Sequence, residues 1–192
     1  MKWYKYNIGD MSAELYGRYL SMTCGKRRQR IEKKARYEDR LRSVAGEMLV
    51  RRAVAEEYGV REDDILLLED ERGAPYIDGI DVHVSISHAG DYVVCAISDR
   101  PVGIDIEKIK PVSRRIAERT FSRSELEYLN CDGEMRGDAL VRFYEIWTAK
   151  EAYAKMKGAG LSLHDTPDTS VLDNIRREYI DGYVISVIEE HP

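Results

Sequence analysis

The chain has 192 residues, 43% of them hydrophobic and 34% charged, with a formal net charge of -5. That size and balance suit a globular protein with a substantial core, and the acidic balance argues against a nucleic-acid binder. No apolar run reaches the length of a membrane span, and MKWYKYNIGDM at the start lacks the apolar centre of a signal peptide, so a cytoplasmic protein is expected.

Lys2 to Ile8 alternates loosely and reads as a short strand, and Met11 to Met22 as a helix. Gly25 to Ser43 is strongly basic. Arg27 and Arg30 lie three apart on one helical face, a spacing that suits phosphate, although a charge run is ordinarily a solvated face. From Glu38 to Tyr58 a buried stripe of Leu41, Val44, Ala45, Met48, Leu49, Arg52, Ala53 and Ala55 predicts a core helix, with Gly59 as its C-terminal cap. Ile65 to Leu68 is a short strand, and Glu69 to Asp78 a turn leading into another. Val82 to Ser98 predicts a hairpin about Ala89-Gly90-Asp91, its return strand buried on both faces and His88 at the turn. The three cysteines, Cys24, Cys95 and Cys131, have no paired spacing and argue against a disulfide framework or a zinc site.

Pro101 to Lys110 alternates as a strand. Ile104 and Ile106 point to the core, which sets Asp105 and Glu107 side by side on the other face. Adjacent carboxylates repel unless a cation sits between them. The plain alternative is a solvated face paired with Lys108 and Lys110. Arg114 to Arg119 is a short helix, and Phe121 to Leu129 carries a capping box, Ser122 with Glu125. Cys131 to Gly137 is a polar loop. A long helix runs from about Asp138, with Leu140, Val141, Tyr144, Trp147, Thr148 and Ala152 buried, until Gly158 to Gly160 stops it. On that helix Glu151 and Lys155 share a face, as a candidate metal ligand with a phosphate-binding lysine or as a simple i, i+4 ion pair. Leu161 to Ser170 is irregular, Val171-Leu172 begins a strand, and Tyr179 to Ile180 with Tyr183 to Ile188 forms a final hairpin about Asp181-Gly182. The order of elements predicts an α+β chain of two similar halves, residues 1–100 and 101–192, packed as one unit.

ERGAPYI (Glu71 to Ile77), VSISHAG (Val84 to Gly90), PVGIDIEKIKP (Pro101 to Pro111), FSRSE (Phe121 to Glu125) and WTAKEAYAKMKGAGLS (Trp147 to Ser162) occur in one order and spacing. In these motifs the chain resembles the 4′-phosphopantetheinyl transferases of the larger, surfactin-synthetase-activating type. The resemblance covers about residues 26 to 162. It implies an intramolecular pseudodimer of two α+β halves, with the site in the cleft between them and the carboxylates in the C-terminal half. It implies transfer of the 4′-phosphopantetheine arm of coenzyme A to a serine of an apo acyl or peptidyl carrier protein, with release of 3′,5′-ADP. Asp105, Glu107 and Glu151 would hold Mg²⁺, or Mn²⁺ in its place. Glu151 would deprotonate the carrier serine, and Lys155 would meet the transferred or leaving phosphate. Arg27, Arg30, Arg42, Ser87, His88 and Lys150 would line the coenzyme A site, with Lys150 in phosphate binding or in an ion-pair network. A monomer with no membrane or nucleic-acid partner is expected. One departure is Ala74, where the family's turn has a lysine. A Mg²⁺-dependent pyrophosphohydrolase acting on coenzyme A or a nucleotide, and a non-catalytic coenzyme A or carrier-binding module, are the competing readings.

Overall fold

The computed structural model describes residues 1–131, 133–158 and 163–191. The expected stop at Ala159-Gly160 and the end of the last motif, Leu161-Ser162, lie outside the described residues.

The N-terminal half opens with strand β1 (Lys2–Asn7), followed by helices α1 (Ala13–Met22), α2 (Gly25–Glu32) and α3 (Tyr37–Tyr58). Strands β2 (Leu67–Glu69), β3 (Pro75–Ile77), β4 (His83–Ala89) and β5 (Tyr92–Ser98) complete it. They form a five-stranded antiparallel sheet in the order β1-β5-β4-β3-β2. The C-terminal half runs β6 (Val102–Lys108), α4 (Arg114–Thr120), α5 (Arg123–Leu129), α6 (Asp138–Met156), β7 (Arg176–Ile180) and β8 (Tyr183–Glu189). Its sheet has the order β6-β8-β7. Each half thus sets its first strand beside its last and its last beside its penultimate, and lays one long helix on the sheet. The predicted two-half α+β architecture is present.

The core follows from strand alternation. Val93, Cys95 and Ile97 of β5 face α3 with Ala45, Leu49 and Ala53. Val94 and Ala96 of the same strand face Ile104, Ile106, Ile185 and Val187 of the second sheet. Strand β5 is therefore buried on both sides, as its apolar run predicts. Helix α3 ends at Gly59 in the left-handed region (φ +65°), the cap read from sequence. Its buried cation is Arg51 rather than Arg52. Arg51 pairs with the fully buried Glu47 at 2.8 Å and donates to the carbonyls of Met22, Glu62 and Ile65. An arginine that satisfies so many carbonyls replaces an apolar side chain in the stripe, which hydrophobic periodicity cannot reveal.

Three expectations shift. The basic run from Gly25 divides into α2 and the first turn of α3. Val171 does not start a strand: Thr169–Val171 is a 3₁₀ turn, capped by Asp168, whose carboxylate accepts from Ser170 N at 2.8 Å. Strand β7 begins at Arg176 rather than Tyr179 because Arg176 and Arg177 pair with Val187 and Ser186 while remaining exposed. Among the described residues no helix is long and apolar enough to cross a membrane.

Glu189 ties the two halves at the chain start. It accepts from Ser98 Oγ and from Arg100 Nη2 at 3.0 Å, and lies 3.4 Å from the N-terminal ammonium of Met1. Burial alone would raise its carboxyl. The Ser98 hydroxyl, the terminal ammonium and Arg100 outweigh that and hold it below the ordinary glutamate value. A depressed carboxylate adds stability that is complete above its unfolded value and is lost as pH falls through its folded one. Glu189→Gln is therefore expected to lower stability at pH about 7 and to converge with the parent below about pH 4. Urea unfolding at the two pH values measures this, and an equal loss at both would contradict it.

Candidate active site at the junction of β6 and α6

The site is built where α6 crosses β6. Gly103 makes this possible: a Cβ there would stand 1.8 Å from the Ala152 carbonyl oxygen and 2.8 Å from Met156 N. With no side chain at Gly103, the helix backbone rests directly on the strand. Asp105, two residues on, lies on the same face of β6 as Gly103. The predicted side-by-side carboxylates are there, but their face is not solvated. Asp105 is 5% exposed, and Glu107 is half-buried.

Asp105 is held from both halves. Its Oδ1 accepts from Ser87 Oγ of β4 at 2.7 Å and from Lys155 Nζ of α6 at 2.7 Å. Lys155 also donates to the Ile104 carbonyl at 3.1 Å. Next along the seam, Ser85 Oγ accepts from Ile104 N at 3.1 Å. The cleft between the halves is thus stitched by two serines of the hairpin. Lys155 is turned to Asp105, not to Glu151, so the simple i, i+4 pair is not what the helix forms. Lys108, offered by the solvated-face alternative, reaches instead toward Asp91 at 3.9 Å.

The three carboxylates act on one another. Burial pushes the Glu107 carboxyl up, and Asp105 and Glu151 add to it against Lys110 and Lys155. Burial likewise raises Glu151, with Asp105 adding to it and Lys155 opposing. Asp105 Oδ2 is buried without a hydrogen-bond partner. A buried, unpaired carboxylate oxygen is costly unless a cation or donor completes it. Among the described residues no group of three or more His, Cys, Asp and Glu side chains is close enough together to hold a metal. Lys155 supplies the positive charge beside Asp105. The donor chemistry suits a hard divalent cation: all three groups offer oxygens, one Asp105 oxygen has no partner, and burial first and the neighbouring carboxylates second raise Glu107 and Glu151.

The hairpin end is fixed from both sides. Arg42 Nη1 donates to the Gly90 carbonyl at 2.7 Å, and Tyr183 Oη accepts from Asp91 N at 3.1 Å. Neither contact is legible in the sequence, because Tyr183 is 92 residues distant from the turn it holds. His88 sits at this end. Loss of surrounding water, then the positive charges of Arg42, Lys34 and Lys155, hold its pKa below the ordinary histidine value.

Lys150, next to Glu151 in sequence, points elsewhere. One residue along a helix is a rotation of about 100°, and Lys150 Nζ is buried beside Glu125 Oε2 at 3.2 Å, donating to Thr166 Oγ1 at 3.1 Å and to the carbonyls of Thr166 and Pro167. Of the two roles expected of it, the ion-pair network is the one its surroundings support. Glu125 also completes the predicted capping box with Ser122 and accepts from Thr169 N at 2.9 Å. Trp147 stacks on Phe143 with ring centroids 5.6 Å apart, packing the helix as expected. Arg27 and Arg30 lie on α2, and both are engaged by Glu69.

Residues 101–183 match the sequence model of the 4′-phosphopantetheinyl transferase superfamily, and residues 11–100 that of the 4′-phosphopantetheinyl transferase N-terminal region. The 4′-phosphopantetheinyl transferase Sfp of Bacillus subtilis (strain 168) is 32% identical over 200 residues, covering 95% of this chain and 88% of that protein. The 4′-phosphopantetheinyl transferase ffp of Bacillus subtilis is 34% identical, covering 94% and 78%. The 4′-phosphopantetheinyl transferase gsp of Aneurinibacillus migulanus is 37% identical, covering 74% and 60%. The chain belongs to the 4′-phosphopantetheinyl transferase family.

Proposed function

We propose that this protein transfers the 4′-phosphopantetheine arm of coenzyme A to a serine of an apo carrier protein, releasing 3′,5′-ADP. The observation that carries the reading is the 2.7 Å bond of Lys155 to the buried Asp105 where α6 rests on β6, with Glu107 and Glu151 near enough to feel the charge of Asp105. Asp105, Glu107 and Glu151 are the residues that would hold Mg²⁺ or Mn²⁺. Once bound, such an ion supplies positive charge to the pyrophosphate of coenzyme A as the P–O bond breaks.

The remaining steps belong to the chain's own groups. Glu151 shares a face of α6 with Lys155 and is the carboxylate placed to act as the base. It takes the proton of the carrier serine hydroxyl as the serine oxygen bonds to the β-phosphorus. The bridging P–O bond breaks, and the leaving group departs as 3′,5′-ADP. Lys155 brings an ammonium to the phosphate oxygens, and its bond to Asp105 keeps it aimed into the cleft. Ser87 orients Asp105 through its 2.7 Å bond, and its neighbour His88, with Arg42 behind the turn, faces the coenzyme's phosphates. Arg27 and Arg30, both engaged by Glu69, mark the place of the 3′-phosphate. The site is complete within one chain, so the protein acts as a monomer, in the cytoplasm. The two halves divide at residues 100 and 101.

The release of 3′,5′-ADP tests this reading. It is expected to require apo carrier protein and to match holo-carrier formed mole for mole, and to stop with EDTA. Release at full rate without carrier would point instead to a pyrophosphohydrolase.

A further inference from the structure

A cavity of about 520 Å³ lies between α2 and the β2–β3 hairpin. Lys26, Arg27, Arg30 and Lys33 line it from α2 and its C-terminal end, and Glu69, Asp70 and Tyr76 line it from the hairpin. Positions 26, 30 and 33 repeat at helical spacing, so these cations share one flank. The carboxylate of Glu69 bridges the two arginines, one oxygen to Arg27 Nη1 and the other to Arg30 Nη2. One oxyanion spanning two guanidinium groups is the arrangement that a phosphate makes. Behind Glu69, Arg27 Nε lies 3.0 Å from Glu47 Oε2, and Glu47 is fully buried. Arg27 is therefore already matched by two carboxylates. The turn that carries Glu69 is braced, since Asp70 Oδ1 accepts from Arg72 N at 2.9 Å and Ala74 N at 2.8 Å. Ala74 adds no cation to this turn.

We infer that Glu69 is a specificity-determining residue, an internal carboxylate that occupies the Arg27–Arg30 fork in place of a phosphate monoester. This rests on the transferase reading above. To use the fork, the 3′-phosphate of coenzyme A must displace Glu69 and then lie beside it. The exchange trades one pair of ionic contacts for another and adds a repulsion. The 3′-phosphate thus contributes little net binding, and coenzyme A is only weakly preferred over 3′-dephospho-coenzyme A.

Initial rates of holo-carrier formation with both coenzymes, for the parent and for Glu69→Gln, test this. In the parent, kcat/KM for the two coenzymes is expected to agree within about tenfold. Glutamine keeps the shape and removes the charge, so the preference for coenzyme A is expected to rise about fivefold or more. The change should appear in KM for coenzyme A, with kcat and the 3′-dephospho substrate unaltered. A parent preference above about a hundredfold, or a variant that alters both substrates equally or neither, would overturn the inference. Calorimetric binding of 3′,5′-ADP and of 5′-AMP reads the same ratio without carrier or turnover. Should no coenzyme be transferred at all, the transferase reading fails, while the nucleotide ratio still decides the role of Glu69.

Discussion

Asp105→Asn is expected to lower phosphopantetheine transfer by roughly 10²–10³-fold, with little change in thermal stability. Asp105 is the group on which both halves converge. It fixes Lys155 through a 2.7 Å charge-assisted bond and is itself fixed by Ser87 from the opposite sheet. Its second oxygen is buried without a hydrogen-bond partner, and Lys155 is the cation at its first. Asparagine preserves the volume but removes the charge, and presents an amide donor where only acceptors are useful. Lys155 then loses its anchor. The fold should tolerate the change, because removing the Asp105 charge lessens the repulsion that adds to burial in raising Glu107 and Glu151. Single-turnover transfer rates, with melting curves alongside, measure this. Activity within about tenfold of the parent would remove Asp105 from the chemistry.

Gly103→Ala is expected to destabilise the protein by about 3 kcal/mol or more and to abolish transfer. The new methyl group would meet backbone: the Ala152 carbonyl at 1.8 Å and Met156 N at 2.8 Å. Hydrogen-bonded backbone in the last turn of α6 (Asp138–Met156) cannot swing aside as a side chain can, so that end of the helix must lift from β6. That lift separates Lys155 from Asp105. For a chain of this size the loss corresponds to a fall in Tm of roughly 6–12 °C. Gly46→Ala serves as the contrast, since its Cβ would meet side chains rather than backbone, Ile86 at 3.2 Å and Val93 at 3.9 Å. If Gly103→Ala melted within about 2 °C of the parent, the close approach of strand and helix would be wrong.

How far the sequence carried this account depends on whether the interaction was local. The alternation of Val102 to Lys108 set out β6 and its two carboxylates, and the spacing of Glu151 and Lys155 put both on one side of α6. Ser122 with Glu125 announced a cap, and Gly59 another, because each satisfies partners within a few residues. Periodicity failed where the partner was remote. It could not tell that Lys155 bonds Asp105, 50 residues away, rather than its helical neighbour Glu151. Nor could it separate Lys150, caged by Glu125 and the Thr166-Pro167 carbonyls, from the adjacent Glu151. Arg51 escaped a hydrophobic count because it is buried through hydrogen bonds, and Glu69 escaped notice because a lone acid beside a turn carries no pattern. Strand β7 was shortened because its first residues are exposed arginines on a sheet edge. The carboxylate site was thus legible as residue types at the right spacings, and its wiring was not.

Intact mass spectrometry tests the central claim most directly. An apo carrier protein is incubated with this protein, coenzyme A and Mg²⁺, with a parallel sample in EDTA. The account predicts that the carrier gains the mass of one phosphopantetheinyl group on its serine, and that EDTA prevents the gain. A carrier left unmodified across fatty-acid, polyketide and peptide classes while coenzyme A is consumed would contradict it.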